Sequence, residues 1–201
     1  MNYVKSYLII TMLLGGLYSQ CNESNWQEYY PDMSGCFLVD ADLSYANLEF
    51  ANLEEANLSY ANLEEANLEE ANLYQANLYQ ANLYQAYLPG AYLRKAALIQ
   101  ANLESANLES ANLHEASLES AFLRYAYLEG ANLLEANLNG ANLYQASLEG
   151  ANFQGANLNI ANLEEADIQE ANLIRATLIN ANLDGANLSG ANLIYANLFY
   201  A

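Results

Sequence analysis

The sequence predicts an all-β protein, a solenoid in which the chain turns a corner once per five residues and stacks its coils into a rod. Three observations predict this fold. Alanine occupies every fifth position from Ala41 to Ala201, leucine follows two residues later with Phe153 and Ile168 as the exceptions, and the residue between them is most often asparagine. An unbroken short period of this kind is the signature of a repeat architecture.

A period of five fits neither an ordinary helix nor a straight strand. In an α-helix each step of five advances the side chain by about 140° beyond a full turn, so leucine would face every direction. In a strand an odd period moves leucine to the opposite face at each repeat. Corners at the last two residues of each unit remove the conflict, because alanine and leucine then both face inward and asparagine faces outward.

The repeat units resemble those of a known family. The units ADLSY, ANLEF, ANLEE and ANLSY, which run from Ala41 to Tyr60, look like the tandem motif of the pentapeptide-repeat family. The resemblance implies a right-handed quadrilateral parallel β-helix with four pentapeptides per coil, hence about eight coils here. It also implies leucine at the inward centre of each side and alanine in the second inward place. Cys36 keeps the alanine frame, so the β-helix is predicted for residues 36–201.

The first twenty residues predict a secretory or lipoprotein signal. Lys5 precedes the apolar run Tyr7–Leu17, and the polar residues Ser19 and Gln20 follow, which is the order of a signal peptide. The alternative is a frayed apolar cap on the solenoid. Cys21 stands where a bacterial lipoprotein carries its acylated cysteine, which makes it a candidate lipidation site and lipid anchor.

Residues 21–35 predict a linker or cap over the first coil, because Trp26 and neighbouring aromatic residues precede the regular repeats. A disulfide between Cys21 and Cys36 would suit an exported chain. Cys36 nevertheless occupies the inward position of a small residue, where a packed free thiol is the ordinary interpretation. The sequence therefore favours the free thiol over the disulfide.

The outward positions predict an acidic surface. The chain carries 24 acidic and five basic residues and a net charge of −19. If twenty residues form one coil, five glutamates stack along one side as a candidate acidic interaction stripe: Glu49, Glu69, Glu109, Glu129 and Glu149. The alternative is a solvated face that keeps the rod soluble.

The asparagine row, whose side chains are expected to hydrogen-bond from coil to coil, is interrupted twice. Aromatic residues replace asparagine close to basic residues, which gives a candidate recognition patch of Tyr87, Tyr92, Arg94, Lys95, Phe122, Arg124 and Tyr127. Drift of the repeat, with aromatic stacking in place of the asparagine row, is the alternative interpretation.

Outward apolar residues concentrate towards the end of the sequence. They are Leu134, Ile160, Ile174, Ile179, Ile194 and Phe199. Exposed apolar patches usually mark contact surfaces, so this set predicts an end-to-end homodimer through the C-terminal coils. The alternative is a set of side chains too widely scattered to act together.

The sequence predicts no catalytic, cofactor-binding or metal-binding residues. His114 is the sole histidine, so ligand sets and nucleophile–base pairs lack their usual members. The recurrent glutamate pairs are too regular and too exposed to form a tuned acid–base dyad. We therefore expect a protein that is not an enzyme.

Two functions are compatible with these features. The first is an exported structural or interaction scaffold, in the periplasm, on the cell surface or secreted, that presents its surfaces to a protein partner. The second comes from the resemblance, because some pentapeptide-repeat proteins mimic duplex DNA and bind DNA gyrase; it is a cytoplasmic, DNA-mimicking protein that protects gyrase from inhibitors. Because a rod with this negative charge repels nucleic acid, neither function involves direct nucleic-acid binding.

Overall fold

The chain is a four-sided stack of coils. The computed structural model describes residues 21–201, and the predicted signal at residues 1–20 lies outside them. Parallel β-bridges join residues twenty apart along the stack, beginning with the pair Asp32 and Asn52 and ending with the pair Thr177 and Asn197. Each side contributes a single bridged residue per coil, the asparagine position, so the described part has isolated bridges rather than long strands.

The four sides are numbered here by their bridged residues. Side 1 contains the positions from 42 to 182, side 2 those from 47 to 187, side 3 those from 32 to 192, and side 4 those from 37 to 197. The last two residues of each unit form the corners between consecutive sides. Residues twenty apart therefore form a column along the rod.

The core is a column of alanine and leucine, as the period of five predicts. From Cys36 to Ala181 nearly every inward alanine and leucine is fully buried, and Phe153 and Ile168 take leucine positions at 1% exposure each. Met33 occupies the leucine position of an earlier unit and is also fully buried. Because each buried leucine contributes about 1.5–3 kcal/mol, this narrow core is sufficient for a rod.

Backbone hydrogen bonds connect each coil to the next. At Leu73, for example, the amide N–H donates to the carbonyl of Tyr92 at 2.8 Å, and the N–H of Asn72 donates to the carbonyl of Ala51 at 2.9 Å. The same pair of bonds recurs on all four sides, which satisfies the backbone polar groups that stacking of the coils removes from water.

Every corner requires a left-handed residue. The last residue of each unit has a φ near +60°, and most of these residues are not glycine. A hydrogen bond closes the turn, as from the N–H of Ala76 to the carbonyl of Leu73 at 3.0 Å. This is the geometry of a type II turn, which favours glycine or asparagine at the left-handed position. Within residues 21–201, Ile160, with φ +52°, is the one β-branched residue at such a corner.

We expect Ile160→Gly to stabilise the rod by about 0.5–1 kcal/mol, because relief of left-handed strain exceeds the added entropy of the unfolded glycine. The measurement is urea unfolding followed by circular dichroism. Gly150→Ala is the opposing control, since its φ is +67° and no atom lies within 4 Å of the added Cβ. A loss of stability on Ile160→Gly would contradict the strain argument.

The asparagine side chains form hydrogen bonds both within the corner that follows them and between successive coils. The side-chain oxygen of Asn72 accepts a hydrogen bond from the N–H of Tyr74 at 3.1 Å, and its amide nitrogen donates to Asn52 at 3.0 Å. Similar bonds recur along sides 1, 2, 3 and 4. The expected ladder is therefore present, and it stops where Tyr92 or Phe122 replaces asparagine.

A short helix closes the first coil. Helix α1 (Trp26–Tyr29) places Trp26 and Tyr29 against the core, and the Tyr30 hydroxyl donates to the carbonyl of Glu49 at 2.7 Å. Within residues 21–201 the structure has no helix with the length and apolar character that a membrane span requires.

The two cysteines form a disulfide, so the preference for a free thiol at Cys36 is wrong. The segment that contains α1 connects Cys21 to Cys36, and the two cysteines lie side by side in successive layers of the rod. The N–H of Phe37 donates to the carbonyl of Cys21 at 3.0 Å. Both cysteines are buried. The same sulfur atom of Cys21 would carry a lipid, so lipidation and this disulfide exclude each other.

Candidate functional site

The predicted acidic stripe forms one corner of the rod, between sides 2 and 3. The five predicted glutamates share a single column, which Pro89 interrupts. Beside them the left-handed corner positions hold small residues such as Ser110, Gly130 and Gly150. In the described part of the chain no lysine or arginine lies at this corner. We call it the acidic corner.

The opposite corner, between sides 4 and 1, is almost uncharged. From Val39 to Tyr200 its charged residues are Asp40 and Glu119. Exposed apolar side chains line it, including Tyr60, Ile160, Phe199 and Tyr200. The rod therefore has an acidic edge without basic residues and, opposite to it, a nearly uncharged edge with exposed apolar side chains.

The structure divides the predicted aromatic and basic patch among several sides. Arg94 and Lys95 lie at the corner between sides 3 and 4, next to Tyr92 on side 3. Phe122 is on side 1, Arg124 is at the corner between sides 1 and 2, and Tyr87 and Tyr127 lie on side 2. Arg94 and Arg124 are one and a half coils apart and so occupy opposite corners. They do not form one surface.

Arg124 packs on aromatic rings. Its guanidinium carbon lies 5.2 Å from the ring centre of Tyr125 and 5.6 Å from that of Tyr144, and it donates to the Tyr125 hydroxyl at 3.1 Å. The two rings meet edge to face at 5.8 Å. Burial raises the pKa of Tyr144, and the hydrogen bond to Tyr125 raises the pKa of Arg124. The contacts of Arg124 described here are therefore made within its own corner, with Tyr125 and Tyr144.

Arg94 belongs to a charged cluster around Glu115. The Glu115 carboxylate lies 3.1 Å from the guanidinium of Arg94, 3.5 Å from Nζ of Lys95 and 3.2 Å from Nε2 of His114. The hydrogen bond from Arg94 lowers the pKa of Glu115, with Lys95 and His114 adding to the effect. One carboxylate thus faces two permanent cations and an imidazole.

A pocket lies next to this cluster and includes residues that the sequence analysis missed. Its lining consists of Glu54, Asn72, Tyr74, Tyr92 and Arg94, around a volume of about 310 Å³. The Tyr74 and Tyr92 ring centres are 6.1 Å apart, with their planes inclined by 31°. Because Glu54, Tyr74 and Arg94 are twenty residues apart in sequence, the coil period itself could have placed them together.

The predicted dimer residues lie on the two corners that border side 4. Leu134, Ile174 and Ile194 share one corner, and Ile160, Ile179 and Phe199 share the next. Ile160, Ile194 and Phe199 are exposed, whereas the other three are half-buried. The exposed members therefore carry the apolar character of the patch.

The described residues offer no arrangement that metal chemistry requires. In the range 21–201, no three histidine, cysteine, aspartate or glutamate side chains converge on a point where an ion could bind. The stacked glutamates are instead spread one per coil along the acidic corner.

Three solved structures illustrate what the chain is similar to. HetL, a pentapeptide repeat protein involved in heterocyst differentiation regulation in the cyanobacterium Nostoc sp. strain PCC 7120, is 32% identical; the match covers 94% of this chain and 92% of HetL, with a TM-score of 0.47. QnrB1, a plasmid-mediated fluoroquinolone resistance protein, is 18% identical over 80% of each chain, with a TM-score of 0.41. A pentapeptide repeat protein of the Arabidopsis thaliana thylakoid lumen is 28% identical; that match covers 52% of this chain and 66% of the plant protein, with a TM-score of 0.30. A comparison with curated proteins finds no match.

The family itself follows from the repeats. The family model described as pentapeptide repeats matches in eight copies, over residues 30–59, 51–89, 86–124, 111–150, 121–159, 146–181 and 171–198. This span includes most of the described coils, and family membership implies that the four-sided β-helix is right-handed. The chain belongs to the pentapeptide-repeat family.

Proposed function

We propose that this protein is a non-enzymatic, exported scaffold, an acidic β-helical rod that presents its surfaces to a protein partner. One observation carries the proposal: the acidic corner aligns five glutamates in a single column without a basic residue beside them. A column of like charges attracts a complementary surface and accelerates encounter with it. The buried core supplies the rigid support for this surface.

Export is supported by two independent features. The Cys21–Cys36 disulfide is typical of oxidising compartments. The order of Lys5, the apolar run to Leu17 and the polar residues that follow it is typical of a secretory signal. The proposed location is the periplasm, the cell surface or the medium.

Cell fractionation tests the location. We expect the protein, expressed in a bacterial host, to lose its first residues and to appear in the exported fraction. Its cysteines should resist alkylation before reduction and react after it. Recovery of the uncleaved, alkylatable chain from the cytoplasm would contradict export.

The role of the acidic corner is testable with an oligolysine peptide as the basic probe. The triple variant Glu109→Gln, Glu129→Gln, Glu149→Gln should weaken binding several-fold at low salt, because three adjacent charges of the column are lost. The matched control removes Glu64, Glu104 and Glu164 by the same substitution at the corner between sides 1 and 2. Equal losses in both variants would show that net charge alone attracts the probe.

The second candidate is a DNA-mimicking, gyrase-binding protein that confers protection from inhibitors. The net charge of −19 favours it, since a negative rod suits a basic DNA channel. Its test is a supercoiling assay in which purified gyrase and a fluoroquinolone are titrated with the rod. Restored or inhibited supercoiling would favour this candidate over the exported scaffold.

We also propose an end-to-end homodimer through the apolar residues near side 4. Phe199 and Ile194 are 60% and 56% exposed, and their burial would favour association. Sedimentation at micromolar concentration should show a dimer that Phe199→Glu dissociates. Phe50→Glu is the control, because Phe50 is 58% exposed but lies at the acidic corner. A wild-type monomer would remove the proposal.

A further inference from the structure

We propose that the pocket between Tyr74 and Tyr92 is a binding site for a carboxylate carried on a planar aromatic ring. The site is separate from the acidic corner and does not depend on the proposed scaffold function. Its lining residues are Glu54, Asn72, Tyr74, Tyr92 and Arg94. Its volume of about 310 Å³ lies at the lower end of the range of ligand pockets, about 300–1,000 Å³.

The pocket exists because the repeat departs from its pattern at one point. Tyr92 takes an asparagine position of side 3, between Asn72 and Asn112. The ladder that joins asparagine side chains elsewhere on this side, as between Asn132 and Asn152 at 3.1 Å, is therefore interrupted. The Tyr92 ring instead faces Tyr74 at 6.1 Å. Two aromatic faces together offer a surface on which a planar ring can stack.

Charge selects an anionic group at the Arg94 end. Glu115 balances only one of the two permanent charges of Arg94 and Lys95, which leaves this cluster positive on an otherwise acidic rod. Among the described residues Nε of Arg94 is buried without a hydrogen-bond partner. A carboxylate that draws the guanidinium into the pocket would supply that partner, and guanidinium groups suit carboxylates through paired hydrogen bonds.

The other end of the pocket fixes the direction of the ligand. Glu54 lies two coils before Arg94 in the same column, hence about 10 Å away, and its Oε2 accepts a hydrogen bond from Asn72 at 3.4 Å. Glu54 repels a carboxylate, so the acid group is directed to Arg94. The ring then lies over the tyrosines. A free aromatic acid and an aromatic residue at the C-terminus of a peptide share this chemistry.

The test uses N-acetylphenylalanine and its amide as probes, titrated into the purified protein and followed by NMR shifts and calorimetry. We expect the acid to bind at millimolar concentration or below and the amide at least tenfold more weakly. Arg94→Gln should weaken binding of the acid at least tenfold. Arg124→Gln is the matched control, since Arg124 packs on two tyrosines outside the pocket, and it should leave binding unchanged.

A second variant guards against misfolding. Tyr92→Asn restores the residue of the repeat and should keep the circular-dichroism spectrum and stability while abolishing binding. Equal binding of acid and amide, equal losses in the Arg94 and Arg124 variants, or no binding of the acid at millimolar concentration would each overturn the proposal. A peptide that ends in phenylalanine distinguishes the sources: tighter binding than the free acid assigns a protein terminus, and equal binding assigns a small acid.

Discussion

Replacing Leu108 by alanine is expected to lower the free energy of unfolding by about 3–5 kcal/mol. Leu108 is fully buried and its N–H is bonded to the carbonyl of Tyr127 at 2.7 Å. The coils on either side are held at a fixed spacing by their hydrogen bonds, so the walls of the new cavity cannot collapse. A cavity that stays open costs the most of any leucine-to-alanine change.

The measurement is equilibrium urea unfolding, with the same substitution at Leu198 as the control. Leu198 is 37% exposed, so its truncation removes less buried surface and should cost much less. Similar losses at both positions would show that the interior of the rod relaxes around a cavity. They would also contradict the rigidity on which a scaffold function depends.

The core could be predicted from sequence because its signal is local and repeated. Alanine and leucine are two residues apart in each unit, and a corner at the next two positions places both side chains in the core. This placement does not depend on the rest of the chain. Even the exceptions, Phe153 and Ile168, follow the rule, because both are buried at leucine positions. The ladder of asparagine side chains followed from the same register.

The pocket and the cap have weaker signals in the sequence than the core has. The predicted patch follows neighbours along the sequence, such as Tyr87, Tyr92 and Arg94, whereas a solenoid brings together residues one coil apart. Tyr74 and Glu54 share a column with Arg94 at intervals of twenty residues, so the coil period indicates their grouping, whereas the open volume between them is visible only in three dimensions. The chain from Cys21 to Tyr30 leaves the period of five and forms α1, and the register resumes with Asp32, which bridges Asn52. The repeat period does not predict which residues such a segment contacts.

The cysteine pair should stabilise the N-terminal cap by about 3 kcal/mol, because it closes a loop of 15 residues and restricts the unfolded segment. In the double variant Cys21→Ala, Cys36→Ala, position 36 receives the residue that the repeat uses elsewhere, so its coil stays filled. The cap should open far more often. Contacts in a solenoid extend only to neighbouring coils, so the middle of the rod should be unaffected.

Hydrogen exchange separates the two regions. The N–H of Phe37, bonded to the carbonyl of Cys21 at 3.0 Å, reports on the cap, and that of Leu108 reports on the middle. We expect exchange at Phe37 to accelerate by about two powers of ten, since about 1.4 kcal/mol corresponds to a factor of ten, with no change at Leu108. The wild-type protein in a reducing agent should match the variant once both thiols are free. Unchanged exchange at Phe37 would contradict this prediction and would mean that α1 and Met33 hold the cap without the disulfide.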